Sequence, residues 1–216
     1  MIRLERVTKS YPSYLGPQTI FEGLTFDIPT DKNIAILGKN GAGKSTLFRL
    51  LANSEYPDEG KILCDKRLSW PIALATGLHP KMTGRQNARF IGRVNGVRDL
   101  DQFEKKVLEF SELGEKFELF VQDYSNGMRT RLSFSCVLGI DFDCYLIDEA
   151  TSVADPSFRK KARQAIIEKS KSSNIIMVSH KLDELREFCD SALLVFQGKL
   201  IYFKDLEEGI RYYESL

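Results

Sequence analysis

The stretch Gly38-Lys39-Asn40-Gly41-Ala42-Gly43-Lys44-Ser45-Thr46 fills every position of the phosphate-binding pattern G-x-x-x-x-G-K-[ST]. The apolar run directly before it is typical of a short buried strand. Leu47, Leu50 and Leu51, which follow it, share one face of a helix. The sequence therefore predicts a strand, a glycine-rich turn and a helix start in that order.

This order of elements directs several backbone N–H groups and the positive end of a helix toward one point. Such an arrangement binds phosphate, because both the N–H groups and the helix dipole favour negative charge. We expect Lys44 to reach the β- and γ-phosphates and the Ser45 hydroxyl to ligate Mg²⁺. The stretch 38–46 therefore predicts a site for a nucleoside triphosphate with Mg²⁺.

The composition of the chain restricts which kinds of partner and which cellular location are expected. The 216 residues carry 31 Lys and Arg against 30 Asp and Glu, a net charge of +1, which does not favour a nucleic-acid partner. No apolar run reaches the roughly 18 residues needed to cross a bilayer, and the N-terminus does not resemble a signal peptide. We expect a chain that is soluble and cytoplasmic by itself. Its four cysteines show no C-x-x-C spacing and are predicted to be small buried hydrophobes.

The periodicity of apolar residues predicts alternating strands and helices on either side of a helical insert. A late hairpin around Gln197-Gly198-Lys199 and a terminal helix near 205–215 complete the pattern. The predicted strands are 2–8, 20–28, 62–64, 144–147 and 175–178, besides the one before the phosphate loop. Alternation of this kind is typical of a parallel sheet covered by helices, so the fold class is α/β.

Two further strands end in polar residues that suit phosphate chemistry. The strand 144–147 is followed by Asp148 and Glu149, of which the first can support Mg²⁺ and the second can polarise the attacking water. The strand 175–178 is followed by Ser179 and His180, and a histidine there can contact the γ-phosphate. The alternatives are that the acids only solvate a turn and that Ser179 caps the next helix while His180 is incidental.

The stretch Tyr124-Ser125-Asn126-Gly127-Met128 resembles the signature loop L-S-G-G-Q of ATP-binding-cassette (ABC) ATPases, with the serine and the second glycine kept. It follows a helical insert and precedes Asp148 by some twenty residues, as in that family. The same stretch is also a capped helix start, and the two interpretations are compatible because a helix N-terminus binds phosphate. The order of motifs resembles this family over nearly the whole chain.

The resemblance implies a P-loop nucleotide-binding domain with a RecA-like core, an N-terminal antiparallel β region and a helical subdomain. The whole chain, 1–216, is then one ABC ATPase domain, in which 1–75 with 143–216 form the catalytic lobe and 76–142 the helical subdomain. Tyr11 takes the place of the aromatic residue that stacks on adenine, with Tyr14 as the alternative. Tyr11 could instead simply cover a strand edge.

The family also implies a homodimer that closes around two ATP molecules. Ser125, Asn126, Gly127 and Met128 of one copy would face the γ-phosphate held by Lys44 of the other. Asp155 resembles the aspartate that links the two sites, and it also begins a helix as an Asp-Pro pair. Glu149, His180 and Lys44 are the implied catalytic residues.

Two departures from the family pattern stand out. His79 lies where family members carry the glutamine that contacts Mg²⁺ and senses the membrane partner, whereas Gln86 is too far along and is expected on a helix. His79 is a metal candidate with Ser45 and Asp148, or an ordinary loop histidine before Pro80. Asn126 and Met128 replace the family's glycine and glutamine. Both departures bear on hydrolysis more than on binding.

Within the family the chain is most similar to ATPase subunits of capsular-polysaccharide exporters. The stretches that carry this likeness are 6–12, 69–71, 82–87, 124–129 and 142–149. The implied partners are membrane-spanning permease subunits that handle the polysaccharide, and the implied location is the cytoplasmic face of the inner membrane. Trp70, Leu78 and Met82 could receive a permease helix, although Trp70 could equally fill the core.

Alternative functions remain at this stage. ATPases of O-antigen or teichoic-acid exporters share some of these stretches, although many O-antigen exporters append a carbohydrate-binding domain for which this chain leaves no room. A soluble ABC ATPase of DNA repair would need a coiled-coil insertion, and one of translation usually has two cassettes. A kinase or GTPase on a P-loop fold would not explain the signature loop, and no N-K-x-D guanine motif is present.

Overall fold

The computed structural model describes residues 1–14, 16–72, 77–148 and 155–216. The elements are β1 (Ile2–Tyr11), β2 (Gln18–Ile28), β3 (Ile34–Leu37), α1 (Lys44–Leu51), β4 (Glu59–Cys64), α2 (Gly84–Val94), α3 (Leu100–Ser111), α4 (Asn126–Leu138), β5 (Cys144–Asp148), α5 (Pro156–Ser170), β6 (Asn174–Val178), α6 (Leu182–Phe188), β7 (Ser191–Phe196), β8 (Lys199–Phe203) and α7 (Leu206–Glu214). Two short 3₁₀ turns, Gly114–Glu118 and Val121–Asp123, lie between α3 and α4.

The chain divides into two compact units. The first, here called the sheet unit, comprises Met1–Pro71, Phe142–Asp148 and Ser170–Leu216. The second, here called the helical unit, comprises Ile72–Asp141 together with the described part of 149–169. These units begin and end near the predicted boundaries at 75/76 and 142/143, whereas α5, which the predicted division places in the catalytic lobe, is grouped here with the other helices. The functional domain boundaries stay a prediction.

The sheet unit contains two sheets. β1, β2 and β4 form an antiparallel sheet in the order β2-β1-β4, and the second sheet has the order β5-β6-β3-β7-β8. The strands β5, β6, β3 and β7 run parallel, and β8 returns antiparallel to β7 through a tight turn. Gln197 and Gly198 both have positive φ in that turn, which matches a type I′ hairpin. The predicted hairpin is therefore confirmed.

Burial on both faces of the sheet explains why the sequences of the parallel strands are continuous apolar runs. All four residues of β3 are buried, as are four of the five in β5 and in β6, because a parallel sheet is covered on both faces. One hydrophobic core joins both sheets of this unit to α1, through residues such as Leu4, Phe21, Ile36 and Phe48. This core fixes the edge of the parallel sheet where the phosphate loop begins.

The helical unit has a core of its own. Phe110 of α3, Phe134 of α4 and Phe158 of α5 form a triad with ring centroids 5.8–6.1 Å apart. Such aromatic contacts add about 0.5–1.5 kcal/mol per pair beyond the burial of area. The triad therefore joins the helix that begins at the signature stretch to the helix that begins after Asp155.

The cysteine prediction holds for three of the four residues. Cys136, Cys144 and Cys189 are buried, and burial raises the pKa of the Cys144 thiol to about 12. Cys64 is exposed, so its predicted burial is wrong. The reason is that β4 is an edge strand with little burial on either face.

Candidate functional site

The phosphate loop connects β3 to α1 through backbone conformations that only glycine adopts easily. Gly38 has a φ of 151°, and a Cβ there would lie 2.7 Å from the carbonyl oxygen of Val195. Gly43 caps α1 with a φ of 105°, and its Cβ would lie 2.6 Å from Cγ2 of Ile20. Side chains at these positions would force the loop away from the sheet. The structure thus confirms the strand, turn and helix that the sequence predicts here.

Lys44 folds back over this loop. Its ammonium donates hydrogen bonds to the carbonyl oxygens of Gly38, at 2.6 Å, and Lys39, at 3.1 Å. The positive charge is thereby held over the concave side of the loop, beside the first turn of α1, whose N–H groups lack intrahelical partners. Backbone dipoles and a fixed cation converge there, an arrangement that binds a chain of phosphates.

The Lys39 side chain, unlike that of Lys44, points away from the interior of the phosphate loop. Its ammonium donates to the carbonyl oxygen of Leu216 at 2.6 Å, so in this structure the side chain contacts the end of the chain instead of the loop interior. The Lys39 carbonyl oxygen accepts from the N–H of Ala42 at 3.1 Å and so helps to close the turn. Asn40 and Gly41 lie exposed at its tip.

Ser45 and Asp148 lie at the same edge of the parallel sheet. Ser45 is exposed in the first turn of α1, and Asp148 ends β5, half-buried. β6 separates β5 from β3, with Asp148 paired to Val178 and Ala35 to Met177, so the carboxyl ends of all three strands meet there. A hydroxyl and a carboxylate are oxygen donors of the kind that Mg²⁺ prefers. The donor set therefore fits a magnesium ion.

His180 and Ser179 follow β6 at this same edge. His180 is exposed. The Ser179 hydroxyl donates to the Glu184 carboxylate at 2.8 Å and accepts from the N–H of Lys181 at 3.1 Å. Ser179 thus stabilises the turn before α6 but is not the helix cap that the simpler interpretation expects, because the N-cap is Lys181, without a side-chain cap hydrogen bond. His180 is placed at the edge where the phosphate loop begins.

Glu149, the predicted catalytic base, lies outside the described residues. Its role is inferred from its position in the sequence, directly after Asp148. The assignment of Glu149 stays a prediction.

Tyr11, the predicted adenine platform, is the last residue of β1 and is half-buried. Its hydroxyl group is engaged by two side chains of the sheet unit, Arg49 and Glu55. Tyr14, the alternative, is fully exposed in the following turn. The structure therefore distinguishes a tyrosine held in place from one that is surrounded by solvent.

The signature stretch opens α4 in the helical unit. Ser125 is the N-cap, and its hydroxyl accepts from the N–H of Met128 at 3.3 Å. A Cβ on Gly127 would contact only the Ser125 hydroxyl, at 3.9 Å, so the space in front of Gly127 is open. Ser125 and Asn126 are exposed. The helix start therefore presents a polar, uncrowded surface to an anion arriving from outside the chain.

Asp155 begins α5 as the Asp-Pro interpretation predicts. Its carboxylate accepts from the Ser157 hydroxyl at 2.5 Å, from the N–H of Phe158 at 3.1 Å, and from the Arg131 guanidinium. The hydrogen bonds from Ser157 and Arg131 hold the pKa of Asp155 well below its ordinary value. Arg131 also bonds to Glu112 and lies over the ring of Phe158, so it ties α4 to the start of α5.

His79 lies in a loop whose backbone is hydrogen-bonded to the side chain of Asn87. Asn87 is fully buried; its side-chain oxygen accepts from the N–H of His79 at 2.7 Å, and its amide nitrogen donates to three carbonyl oxygens at 3.0–3.2 Å. The Nδ1 atom of His79 accepts from the N–H of Lys81 at 3.2 Å. In the neutral ring this contact places the proton on Nε2, which favours hydrogen-bond donation from Nε2 over ligation of Mg²⁺, an ion that prefers oxygen.

Gln86 is on a helix, as expected. It forms a capping box with Thr83 at the start of α2, in which its side-chain oxygen accepts from the Thr83 N–H at 2.9 Å. The Gln86 side chain is therefore occupied in the helical unit and does not substitute for the family's glutamine.

We expect Asn87→Ala to lower the free energy of unfolding by about 1–3 kcal/mol, because it leaves buried backbone groups of the His79 loop without partners. Chemical denaturation measures this loss. The control is Asn95→Ala at the other end of α2, where the side chain is only half-buried and a smaller loss is expected. An equal loss for both variants would contradict this role of Asn87.

Sequence reasoning missed four residues that organise the site, namely Arg49, Glu55, Asn87 and Arg131. Arg49 and Glu55 lie 38 and 44 residues from the tyrosine that they bind, so no local pattern reveals them. For Asn87 a signal existed, because an asparagine on the apolar face of α2 predicts a buried polar group that needs partners.

A family model described as ABC transporter matches residues 21–152. The chain is 41% identical to "Polysialic acid transport ATP-binding protein KpsT" of Escherichia coli, covering 99% of this chain and 96% of that protein. It is 40% identical to "Capsule polysaccharide export ATP-binding protein CtrD" of Neisseria meningitidis serogroup B, covering all of both chains. Identity falls to 30% with "O-antigen export system ATP-binding protein RfbB" of Klebsiella pneumoniae, again over all of this chain and 98% of that one.

Solved structures agree in fold. A dimeric ATP-binding cassette, MJ0796, in a post-hydrolysis state with ADP and Pi, superposes with a TM-score of 0.75 over 95% of this chain and 99% of that chain. Its sequence is 20% identical, so the likeness concerns the fold alone. The predicted fold class, a P-loop cassette with an antiparallel region and a helical subdomain, is confirmed.

Proposed function

We propose that this chain, which belongs to the ABC transporter family, is the ATP-hydrolysing subunit of an exporter of capsular polysaccharide. The observation that carries the proposal is a full-length identity of 40–41% to transport ATP-binding proteins, combined with Lys44 held over an intact phosphate loop. The similarity extends over the whole length of the chain and so includes the helical unit.

ATP binding follows from the geometry of the sheet unit. The phosphate chain would lie on the loop 38–46, with Lys44 neutralising its β- and γ-phosphates. Tyr11 would stack on adenine. Ser45 and Asp148 would hold Mg²⁺, which would neutralise negative charge on the phosphates when bound.

Hydrolysis requires a base near the γ-phosphate. Glu149 would take a proton from a water molecule while the water oxygen attacks the γ-phosphorus. The bond between that phosphorus and the bridging oxygen breaks, giving ADP and phosphate. His180 would donate a hydrogen bond to the γ-phosphate and help to orient it for attack.

Two copies would complete each site. Ser125, with Asn126, Gly127 and Met128, would approach the γ-phosphate bound to the partner copy, since the start of α4 is exposed and uncrowded. Asp155, fixed by Arg131, would support the loop between the two sites. ATP would then hold the dimer closed until hydrolysis releases it.

A membrane permease is the second partner that we propose. Among the described residues, none of the helices is long and apolar enough to span a membrane. The helical unit exposes four large apolar side chains, at 48–69% of their surface: Phe90, Val94, Leu119 and Phe120. With the His79 loop they would form the face that docks on permease subunits at the cytoplasmic side of the inner membrane. Trp70 packs edge-to-face on Phe142 and suits a core role better.

The transported substrate would be a capsular polysaccharide, handled by the permease and not by this chain. The lower identities, 30% to the O-antigen relative and 35% to a teichoic-acid export ATP-binding protein of Staphylococcus haemolyticus, make export of those polymers the weaker alternative. The close match to transport proteins likewise disfavours a soluble ABC ATPase.

The proposal is tested by deleting the gene in its host and measuring surface polysaccharides. We expect loss of the capsule with polymer retained inside the cell, restored by the wild-type chain but not by a Lys44→Ala chain. Membranes from the complemented strain should yield a polytopic permease with the tagged chain. Loss of O-antigen or teichoic acid instead, or an unchanged envelope, would overturn the proposed substrate.

We expect His79→Gln to leave ATPase activity unchanged or to raise it, because glutamine is the family residue and its amide can also donate a hydrogen bond. Steady-state ATP hydrolysis measures this. A collapse of activity in a folded variant would show that His79 has a specialised role that glutamine cannot replace.

A further inference from the structure

Tyr11 lies in a closed set of hydrogen bonds with Arg49 and Glu55. Its hydroxyl donates to Oε2 of Glu55 at 2.5 Å and accepts from Nη2 of Arg49 at 2.9 Å. Nε of Arg49 donates to the same Glu55 oxygen at 3.0 Å. Each of the three side chains therefore contacts the other two, and moving the phenol ring breaks two hydrogen bonds at once.

The charges of this set are well matched. Burial opposes ionisation of Glu55, but the hydrogen bonds from Tyr11 and Arg49 outweigh it and hold the pKa of Glu55 below its ordinary value. The Glu55 side chain is 29% exposed, so the contact is partly shielded from water. Hydrogen bonds that involve a charged partner are about twice as strong as neutral ones. The set can therefore hold an aromatic ring in one place.

Arg49 connects the ring to the phosphate loop. It lies on α1, the helix that begins with Lys44, and its Nη2 atom lies 3.5 Å from the hydroxyl oxygen of Thr46. Its guanidinium carbon is 5.7 Å from the centroid of the Tyr11 ring. Arg49, on the same helix as Thr46, and Glu55, in the segment that follows this helix, thus link the ring to the phosphate loop.

A tyrosine that only covered a strand edge would need the apolar contact of its ring and no such anchoring. We propose that Arg49 and Glu55 are positioning residues that fix the Tyr11 ring as the platform for the nucleotide base, at a set distance from the phosphate loop. This inference rests on the proposed binding of ATP. It predicts that the two residues contribute to the affinity for the base and not to the affinity for the phosphates.

The test compares two ligands, ATP and inorganic triphosphate, each with Mg²⁺, by titration calorimetry on the full chain. Tyr11→Phe keeps the ring but removes both hydrogen bonds, and Glu55→Ala removes the acceptor. We expect each variant to bind ATP about 5- to 30-fold more weakly, in line with the usual contribution of base stacking. Affinity for triphosphate should change less than about twofold.

Combining the two changes separates positioning from independent contacts. Both changes act through the position of the same ring. The double variant should therefore lose no more ATP affinity than whichever single variant binds ATP more weakly. The matched control is Asp27→Ala, which breaks the exposed ion pair with Arg3 at the far end of the same antiparallel sheet. It should leave the affinity for both ligands unchanged.

Equal weakening of ATP and triphosphate, or additive losses in the double variant, would overturn the positioning role and leave only a structural one. Unchanged ATP affinity in both single variants would overturn it as well. If Glu55→Ala fails to fold, Tyr11→Phe, which conserves volume, carries the test. A wild-type chain that binds triphosphate but not ATP would instead refute the proposed function, so the two failures are distinguishable.

Discussion

Replacing Lys44 by alanine is expected to abolish measurable ATP binding. The ammonium is held over the phosphate loop by the carbonyl oxygens of Gly38 and Lys39, at 2.6 and 3.1 Å. Its removal eliminates the one side-chain cation that the loop itself aims at the phosphates. Hydrogen bonds to charged groups contribute about 1.5–3 kcal/mol each, so the loss of two bonds from this ammonium to the β- and γ-phosphates would weaken binding by about 10²–10⁴-fold.

Equilibrium binding of a fluorescent ATP analogue and of ATP by calorimetry measures this effect. The control is Lys32→Ala, since Lys32 precedes β3 and donates to the carbonyl oxygen of Lys204, away from the loop. That variant should bind ATP as the wild type does. Nucleotide affinity that survives in a folded Lys44→Ala chain would refute the role assigned to this residue.

Glu149→Gln is expected to keep ATP binding and to slow hydrolysis by about 10²–10⁴-fold, the usual contribution of a positioned base. Glutamine has nearly the same shape but cannot accept the proton that the attacking water must lose. The assignment rests on the sequence position of Glu149, one residue after Asp148, whose place at the end of β5 is next to the strand that precedes His180.

Single-turnover hydrolysis with the purified chain measures the chemical step without contributions from product release. Asp141→Asn is the matched control, because Asp141 is an almost fully exposed acid just before β5, where its partner is Lys169. It should hydrolyse ATP at the wild-type rate. A fully active Glu149→Gln variant would remove this residue from the mechanism.

The parallel sheet and the phosphate loop could be predicted from the sequence because their determinants are local. Each strand of that sheet is a short apolar run, and β3 is followed by glycines at positions where a Cβ would collide with Val195 or Ile20. The end of a parallel strand always meets the same sheet edge, so Asp148 and His180 could be assigned to that edge without a structure.

The parts that escaped prediction depend on contacts between distant segments. The sequence indicated Tyr11 by resemblance but not the two side chains that anchor it, since the approach of α1 and of the segment after it to β1 is a tertiary effect. Similarly, α5 reads as one more helix after a strand. Its grouping with the helical unit is explained by Phe158, which packs on aromatic rings from α3 and α4.

His79 shows how a departure from a family pattern becomes interpretable. From the sequence, ligation and an ordinary loop role were equally open. In the structure Nδ1 of His79 accepts a hydrogen bond from the N–H of Lys81, and the backbone N–H of His79 donates to the side chain of Asn87. The ring is thereby oriented by its own loop, which fits a hydrogen-bond donor better than a ligand of Mg²⁺.

The central claim is that ATP joins two copies of this chain through the start of α4. The most direct measurement is the mass of the Glu149→Gln chain in solution, by sedimentation, with and without saturating ATP and Mg²⁺. We expect twice the 24.6 kDa of one chain with ATP and a single chain without it. Adding Gly127→Asp, which places a negative charge in the open space before α4, should abolish the ATP-dependent dimer while each chain still binds ATP. A mass that never doubles, or a dimer that tolerates Gly127→Asp, would contradict the account.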